Sequence, residues 1–227
     1  MKEAKISEIF ISLQGEGLYF GMPQLFVRFY GCNLSCVFCD TKPSSYKVLA
    51  GDALMSKISE YTKPYHSVSL TGGEPLIQAD FIADFLGEYK KFYRKPIYLE
   101  TNGTLYRELS RVIGSIDIIA MDFKLPSSTK RASFWEEHTR FLKIAARKKV
   151  FVKAVITRDT APGDILRMTE TVKNVDRDIP IVLQPVTSSE HKKKVPQEES
   201  ERFRDIVRKT ISRVEIIPQL HKLMGVK

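Results

Sequence analysis

The chain has three cysteines, and all of them fall in one short stretch, Gly31-Cys32-Asn33-Leu34-Ser35-Cys36-Val37-Phe38-Cys39-Asp40-Thr41, at the spacing C-x3-C-x2-C. Thiols this close in sequence point to metal chemistry. A disulfide with a spare thiol would strain so tight a loop, and an odd count fits secretion poorly. A structural zinc site wants four protein ligands, so it would need a histidine from His66, His138, His191 or His221, none at finger-like spacing. Three thiolates also suit a [4Fe–4S] cluster, and they leave one iron open to another ligand.

Other residues ask for a chemical reading. Thr71-Gly72-Gly73-Glu74-Pro75 follows a strand and precedes a helix; its glycines allow positive φ or close approach of the backbone to a ligand, or make only a tight turn. Gln14-Gly15-Glu16-Gly17 is a polar hairpin turn or a clamp, its amide and carboxylate matching the edges of a guanine-like or pterin-like ring. Arg28 stands inside an apolar strand. A buried guanidinium needs a partner, either a structural ion pair or a substrate carboxylate held bidentately. Asp40 and Thr41 form a cap or offer an oxygen to Mg²⁺, and Phe38 offers a ring to adenine or to the core. The tail Ile217-Pro218-Gln219-Leu220-His221-Lys222 ends a strand, where His221 is a surface residue or a substrate contact.

These motifs need elements to position them. Apolar runs predict strands over 5–13, 24–30, 66–70, 97–100, 117–121, 150–156, 179–183 and 214–217, the first as an outer strand or hairpin arm. Helices are expected over 51–61, 77–92, 105–112, 134–148, 161–172 and 198–210, with Pro162 suited to a first turn. Near-continuous apolar strands with helical crossovers read as buried parallel β-structure. Six or seven such strands fall short of the eight of a closed barrel, so an α/β fold with an incomplete, open TIM-like (β/α) barrel is expected, and a doubly wound sheet is the alternative. No linker or low-complexity tract divides residues 1–227, which are expected to form a single domain.

Composition narrows the partners. A hydrophobic fraction of 43% supports a sizeable core, and the formal charge of +9 permits nucleic acid, an anionic substrate or simple solubility. The basic residues are scattered, apart from small clusters over 147–149 and 191–194, without the aromatic signature of RNA binders. No direct nucleic-acid contact is therefore expected. The start lacks an apolar signal-peptide core and no run is long enough to span a membrane, so a reducing cytoplasm is the expected setting.

The cysteine spacing with GGEP resembles the radical SAM superfamily. QGEG, the Arg28 strand, CNLSCVFCDT, TGGEP, ETNG and PQLHK together resemble the 7-carboxy-7-deazaguanine synthase family. The resemblance implies a lyase that converts 6-carboxy-5,6,7,8-tetrahydropterin to 7-carboxy-7-deazaguanine with loss of ammonia, for queuosine or archaeosine in tRNA. It implies a [4Fe–4S] cluster on Cys32, Cys36 and Cys39, S-adenosylmethionine (SAM) as a regenerated source of the adenosyl radical, and Mg²⁺ on Thr41. It places Phe38, Cys39, Asp40, Gly73 and Glu74 beside SAM, with Asp122, Phe123 and Lys124, and Gln184, Pro185, Val186 and Thr187, at two further SAM-binding strand ends. Many relatives read Ser-Pro-Lys at the first of these, where this chain has Asp122-Phe123-Lys124. It gives Leu13, Gln14, Gly15, Glu16, Arg28, Thr71, Gln219 and His221 as substrate contacts. It also implies an external electron donor and a homodimer. Two other functions compete: a radical SAM activase of a glycyl-radical enzyme, and a zinc module that binds tRNA through its positive charge.

Overall fold

The computed structural model describes residues 2–40, 43–187 and 194–219; Thr41, His191 and His221 fall outside these. Every strand read from the sequence forms: β1 (Glu3–Leu13), β2 (Pro23–Phe29), β4 (Ser67–Gly72), β5 (Ile97–Thr101), β6 (Ile118–Asp122), β7 (Lys149–Ile156), β8 (Ile181–Pro185) and β9 (Val214–Ile216). A further short strand, β3 (Lys47–Ala50), pairs with the start of β1. Four residues carry too little periodicity to announce it.

The expected helices also form, as α1 (Gly51–Ser59), α2 (Ala79–Phe92), α3 (Tyr106–Val112), α5 (Trp135–Ala145), α6 (Pro162–Val175) and α7 (Gln197–Arg208). A one-turn helix, α4 (Pro126–Thr129), precedes α5. Pro162 opens α6, where its missing N–H costs nothing. The helix expected from residue 77 begins instead with a 3₁₀ turn, Pro75–Gln78, whose Leu76 N–H is capped by the Glu74 side chain.

The sheet order is β3-β1-β2-β4-β5-β6-β7-β8-β9. β2 and β4 to β9 run parallel to one another, while β1 is antiparallel to both of its neighbours. The sheet is not closed on itself, so the fold is the open, incomplete α/β barrel. The helices lie on one face only, against Val27, Leu70, Leu99, Ile119, Met121, Val152, Ala154 and Leu183 of the main core. A doubly wound sheet would carry them on both faces.

The alternate residues face inward. At the start of the strands Tyr98, Ile118, Phe151 and Val182 form a small second core, which Leu18 and Tyr19 of the 3₁₀ turn Gly17–Tyr19 close. Gly17 sits at φ +64°, and a Cβ there would lie 2.6 Å from the Phe151 ring, so only glycine lets this turn seat. Further along the same strands the inward positions turn polar: Arg28, Thr71, Glu100, Asp122, Lys153 and Gln184, at the C-terminal ends where such folds build sites. A one-residue slip of β6 would take Ile119 and Met121 out of the core at roughly 1.5–3 kcal/mol each, so core burial fixes which residues face the site. Among the described residues no helix is long and apolar enough to cross a membrane.

Candidate active site

β2 delivers the chain into the cysteine loop. None of the three cysteines is in a disulfide; Cys36 is buried, and Cys32 and Cys39 are exposed. Burial pushes the Cys32 and Cys36 thiols up, while the Lys124 ammonium pulls both down. The Leu34 N–H donates to Cys32 Sγ at 3.4 Å.

The end of β4 docks directly on this loop. Gly73 N donates to Phe29 O at 3.2 Å and Glu74 N to Gly31 O at 2.9 Å. A Cβ on Gly73 would stand 2.0 Å from Gly31 O and 2.9 Å from Cys32 Cβ. Gly72, at φ +131°, would meet Phe29 O at 2.1 Å. The glycine pair is thus required first by the chain's own close approach, and it holds the TGGEP segment against the cysteines.

The Glu74 side chain is fully buried, accepting from Leu76 N at 3.1 Å, Thr101 Oγ1 at 2.9 Å and Asn102 N at 2.7 Å. Burial raises its pKa to about 7 against the pull of these donors. His138, equally buried, lies 3.1 Å from the Asn102 carbonyl through Nε2. A carbonyl only accepts, so that nitrogen carries the proton, and its 3.5 Å approach to Lys124 N is a contact only.

Burial pushes the His138 pKa down from 6.5 to about 4. Its contribution to stability is therefore complete above pH 6.5 and is lost as pH falls toward 4. Glu74 runs oppositely, contributing fully below 4.5 and losing that contribution as pH rises through about 7. His138→Gln keeps a donor for Asn102 O and removes the titration. Between pH 7 and pH 4.5 wild type is expected to lose on the order of 2 kcal/mol more stability than this variant. Parallel melting-temperature curves for the two proteins would reject this.

The three cysteines and the inward polar residues line one cavity of about 870 Å³. Within it Lys153 pairs with Glu16, and lies 3.5 Å from Asp122, which pairs with Lys124 at 2.9 Å. Burial disfavours the Lys153 ammonium, but Glu16, Asp122 and Glu100 outweigh it and raise its pKa, so it stays charged. Gln219 Nε2 donates to the other Glu16 oxygen at 2.9 Å and to Asp40 at 3.3 Å. Gln14 donates to Gln24 at 3.0 Å and to Glu100 at 2.7 Å, and accepts from Glu16 N at 3.1 Å. Thr71 donates to the second Glu100 oxygen at 2.6 Å. Arg28 pairs with Glu8 at 2.9 Å and lies over the Phe10 ring, so the structural ion pair forms while the guanidinium remains on the cavity wall.

Residues 26–173 match the radical SAM superfamily. A 7-carboxy-7-deazaguanine synthase of Geobacter sulfurreducens is 34% identical over 98% of this chain and 97% of its own length. One of Archaeoglobus fulgidus is 35% identical over 99% of each. This chain belongs to the 7-carboxy-7-deazaguanine synthase family of radical SAM enzymes. A QueE from Escherichia coli, 19% identical, shares the fold with a TM-score of 0.64 over 94% of this chain and 93% of that one. The activase alternative is not favoured by these relatives.

Membership in this synthase family brings a [4Fe–4S] cluster and SAM, and the donor set fits them: three thiols on one loop, a backbone N–H on one sulfur and the glycine approach beside Cys32. Leu13, Gln14, Gly15, Glu16, Arg28, Thr71 and Gln219 line the same cavity as Cys32, Cys36, Cys39, Phe38, Asp40, Gly73, Asp122, Lys124, Gln184 and Val186. Thr41 and His221 lie outside the described residues. The side chains of Glu74 and Phe123 are not on the cavity wall: the Glu74 carboxylate accepts from Leu76, Thr101 and Asn102, and Phe123 is buried against Trp135 and His138. Pro185 and Thr187 are not on the cavity wall; Thr187 N donates to Gln219 instead, at 3.3 Å. Glu100 and Lys153 were missed. Lys153 gives the signal that singled out Arg28, a lone cation in an apolar strand, and Glu100 opens the ETNG segment.

Proposed function

We propose that this chain forms 7-carboxy-7-deazaguanine from 6-carboxy-5,6,7,8-tetrahydropterin, with loss of ammonia. One observation carries the reading: a single cavity is lined both by the three cysteines and by carboxylates and an arginine suited to a flat heterocycle that bears a carboxylate. Cys32, Cys36 and Cys39 hold the cluster, with Phe38, Asp40, Gly73, Asp122, Lys124, Gln184 and Val186 around SAM. When bound, these cofactors supply the adenosyl radical that takes hydrogen from C6 of the substrate. The chain's own residues bind and orient. A pterin ring presents N–H donors on its pyrimidine edge, and the carboxylates of Glu16 and Glu100 on the cavity wall accept them. Gln14, whose amide is already engaged within the protein, orients both. Arg28 takes the substrate carboxylate. Lys153 pairs with Glu16 and holds its carboxylate in place.

The finer assignments belong to the same proposal. Thr41 is a ligand for Mg²⁺ beside Asp40, and Mg²⁺ meets the substrate carboxylate. His221 closes the substrate site with Gln219. Residues 1–227 act as one domain, supported by one sheet running through the nine strands of the described residues. The enzyme works as a homodimer in the cytoplasm with an external electron donor, and its product enters tRNA modification.

The decisive experiment is an anaerobic assay of the reconstituted protein with carboxytetrahydropterin, SAM, a reductant and Mg²⁺. Many turnovers per SAM are expected; stoichiometric 5′-deoxyadenosine without deazapurine would sink the reading. Arg28→Ala is expected to raise KM for the pterin about 30-fold, the value of a charge-assisted pair, and to leave SAM binding unchanged. An equal KM would remove Arg28 from the substrate site.

A further inference from the structure

The segment after β5 carries a chain of polar contacts that ends on a cluster thiol. Asn102 is gripped on both sides of its backbone by fully buried groups: its N–H donates to Glu74 at 2.7 Å and its carbonyl accepts from His138 at 3.1 Å. Glu74 is further fixed by Leu76 N and Thr101, and His138 packs between the Phe123 and Phe134 rings. Burying a carboxyl and an imidazole is costly, and here they hold the two peptide units that flank Asn102.

The side chain of that residue points at the cysteine loop. Asn102 Nδ2 donates to Asn33 Oδ1 at 2.8 Å and reaches Cys32 Sγ at 3.9 Å. Its Oδ1 accepts from Thr104 Oγ1 at 2.6 Å, and Thr104 Oγ1 in turn accepts from Asn33 Nδ2 at 2.9 Å. The Thr104 backbone N–H also donates to Asn102 Oδ1, at 3.1 Å, and because an N–H only donates it fixes the amide flip: Nδ2, not Oδ1, must face the sulfur. Asn33, next to Cys32, is pinned by the same contacts.

We propose that Asn102 is a positioning residue for the iron–sulfur cluster, its amide donating to the Cys32 thiolate and thereby making the cluster easier to reduce. The inference rests on the cluster assignment made above. Hydrogen bonds to cluster sulfurs raise reduction potentials because added negative charge on the cluster strengthens them. A donor locked by Glu74, His138 and Thr104 requires no reorganisation when the electron arrives.

The test is an electron paramagnetic resonance titration of reconstituted wild type, Asn102→Asp and Thr104→Val without SAM. Asn102→Asp keeps the shape, removes the donor and adds a carboxylate; Thr104→Val removes the hydroxyl that donates to Asn102 Oδ1 and adds no charge. Both are expected to load iron and sulfide. The ratio of reduced to oxidised cluster at the wild-type midpoint is expected to fall about fivefold in Asn102→Asp, the worth of one hydrogen bond, and less in Thr104→Val. A loaded Asn102→Asp protein with the wild-type midpoint would overturn the proposal. If that variant does not fold, an unchanged midpoint in Thr104→Val overturns it. A failed pterin assay of wild type would strike the substrate reading and leave this result standing.

Discussion

Gly73→Ala is expected to lose at least about 100-fold in turnover and to load substantially less iron than wild type. The added Cβ would lie 2.0 Å from Gly31 O and 2.9 Å from Cys32 Cβ. The first of these atoms is backbone, so no flexible tip can swing aside. Either the end of β4 or the cysteine loop must retreat by about an ångström, and a displacement of that size at a reacting centre costs about two decades in rate. Overpacking of this kind also costs roughly 1–3 kcal/mol of stability. Iron content, the electron paramagnetic resonance signal and the pterin assay measure it. A Gly73→Ala protein with wild-type iron and turnover would show that the loop yields freely.

Lys153→Met has the second large effect. Lys153 pairs with Glu16 and lies 3.5 Å from Asp122, with side-chain exposures of 14%, 20% and 14% in that order. Removing a cation from a largely buried pair typically costs 3–5 kcal/mol, because the remaining charge is stranded. Lys124 still neutralises Asp122 at 2.9 Å, so Glu16 is the group left exposed to the penalty. It responds by taking a proton or by turning away. Either response removes the carboxylate that we propose receives the pterin edge, and pterin KM is expected to rise at least about 30-fold. The double variant Glu16→Gln, Lys153→Met should recover much of the melting temperature and none of the activity. Single-variant kinetics within about threefold of wild type would refute the role.

The architecture was legible because strands buried on both faces write themselves as apolar runs, and because helices between them leave few topologies. β3 was not, since its four residues gain their strand character only from pairing with β1. The chemistry of the cysteine loop was legible from spacing alone. The role of the Glu74 side chain inside the protein was not legible: a carboxyl beside two glycines at a strand end looks like a ligand contact, and only the fold shows its oxygens accepting from Leu76, Thr101 and Asn102. Arg28 allowed two readings: the structural ion pair with Glu8 forms, and the same residue lines the cavity where the other reading would place it. Lys153 and Glu100 stayed hidden because nothing local shows that β5, β6 and β7 set them beside Glu16 and Asp122. That knowledge lives in the register.

The inward row that runs Arg28, Thr71, Glu100, Asp122, Lys153 and Gln184 gives the fold an unequal tolerance for change. Each of these residues is flanked in sequence by a neighbour buried in the opposite core or at the strand's end, so substitutions on the inward row edit the ligand site without repacking the helices. Length changes behave differently. One residue added within β7 ahead of Lys153 would turn the lysine toward α5 and α6 and present its neighbour to the substrate. New chemistry on this scaffold is therefore reached by exchanging side chains at fixed places along the strands, while insertions belong in the helices and loops outside them.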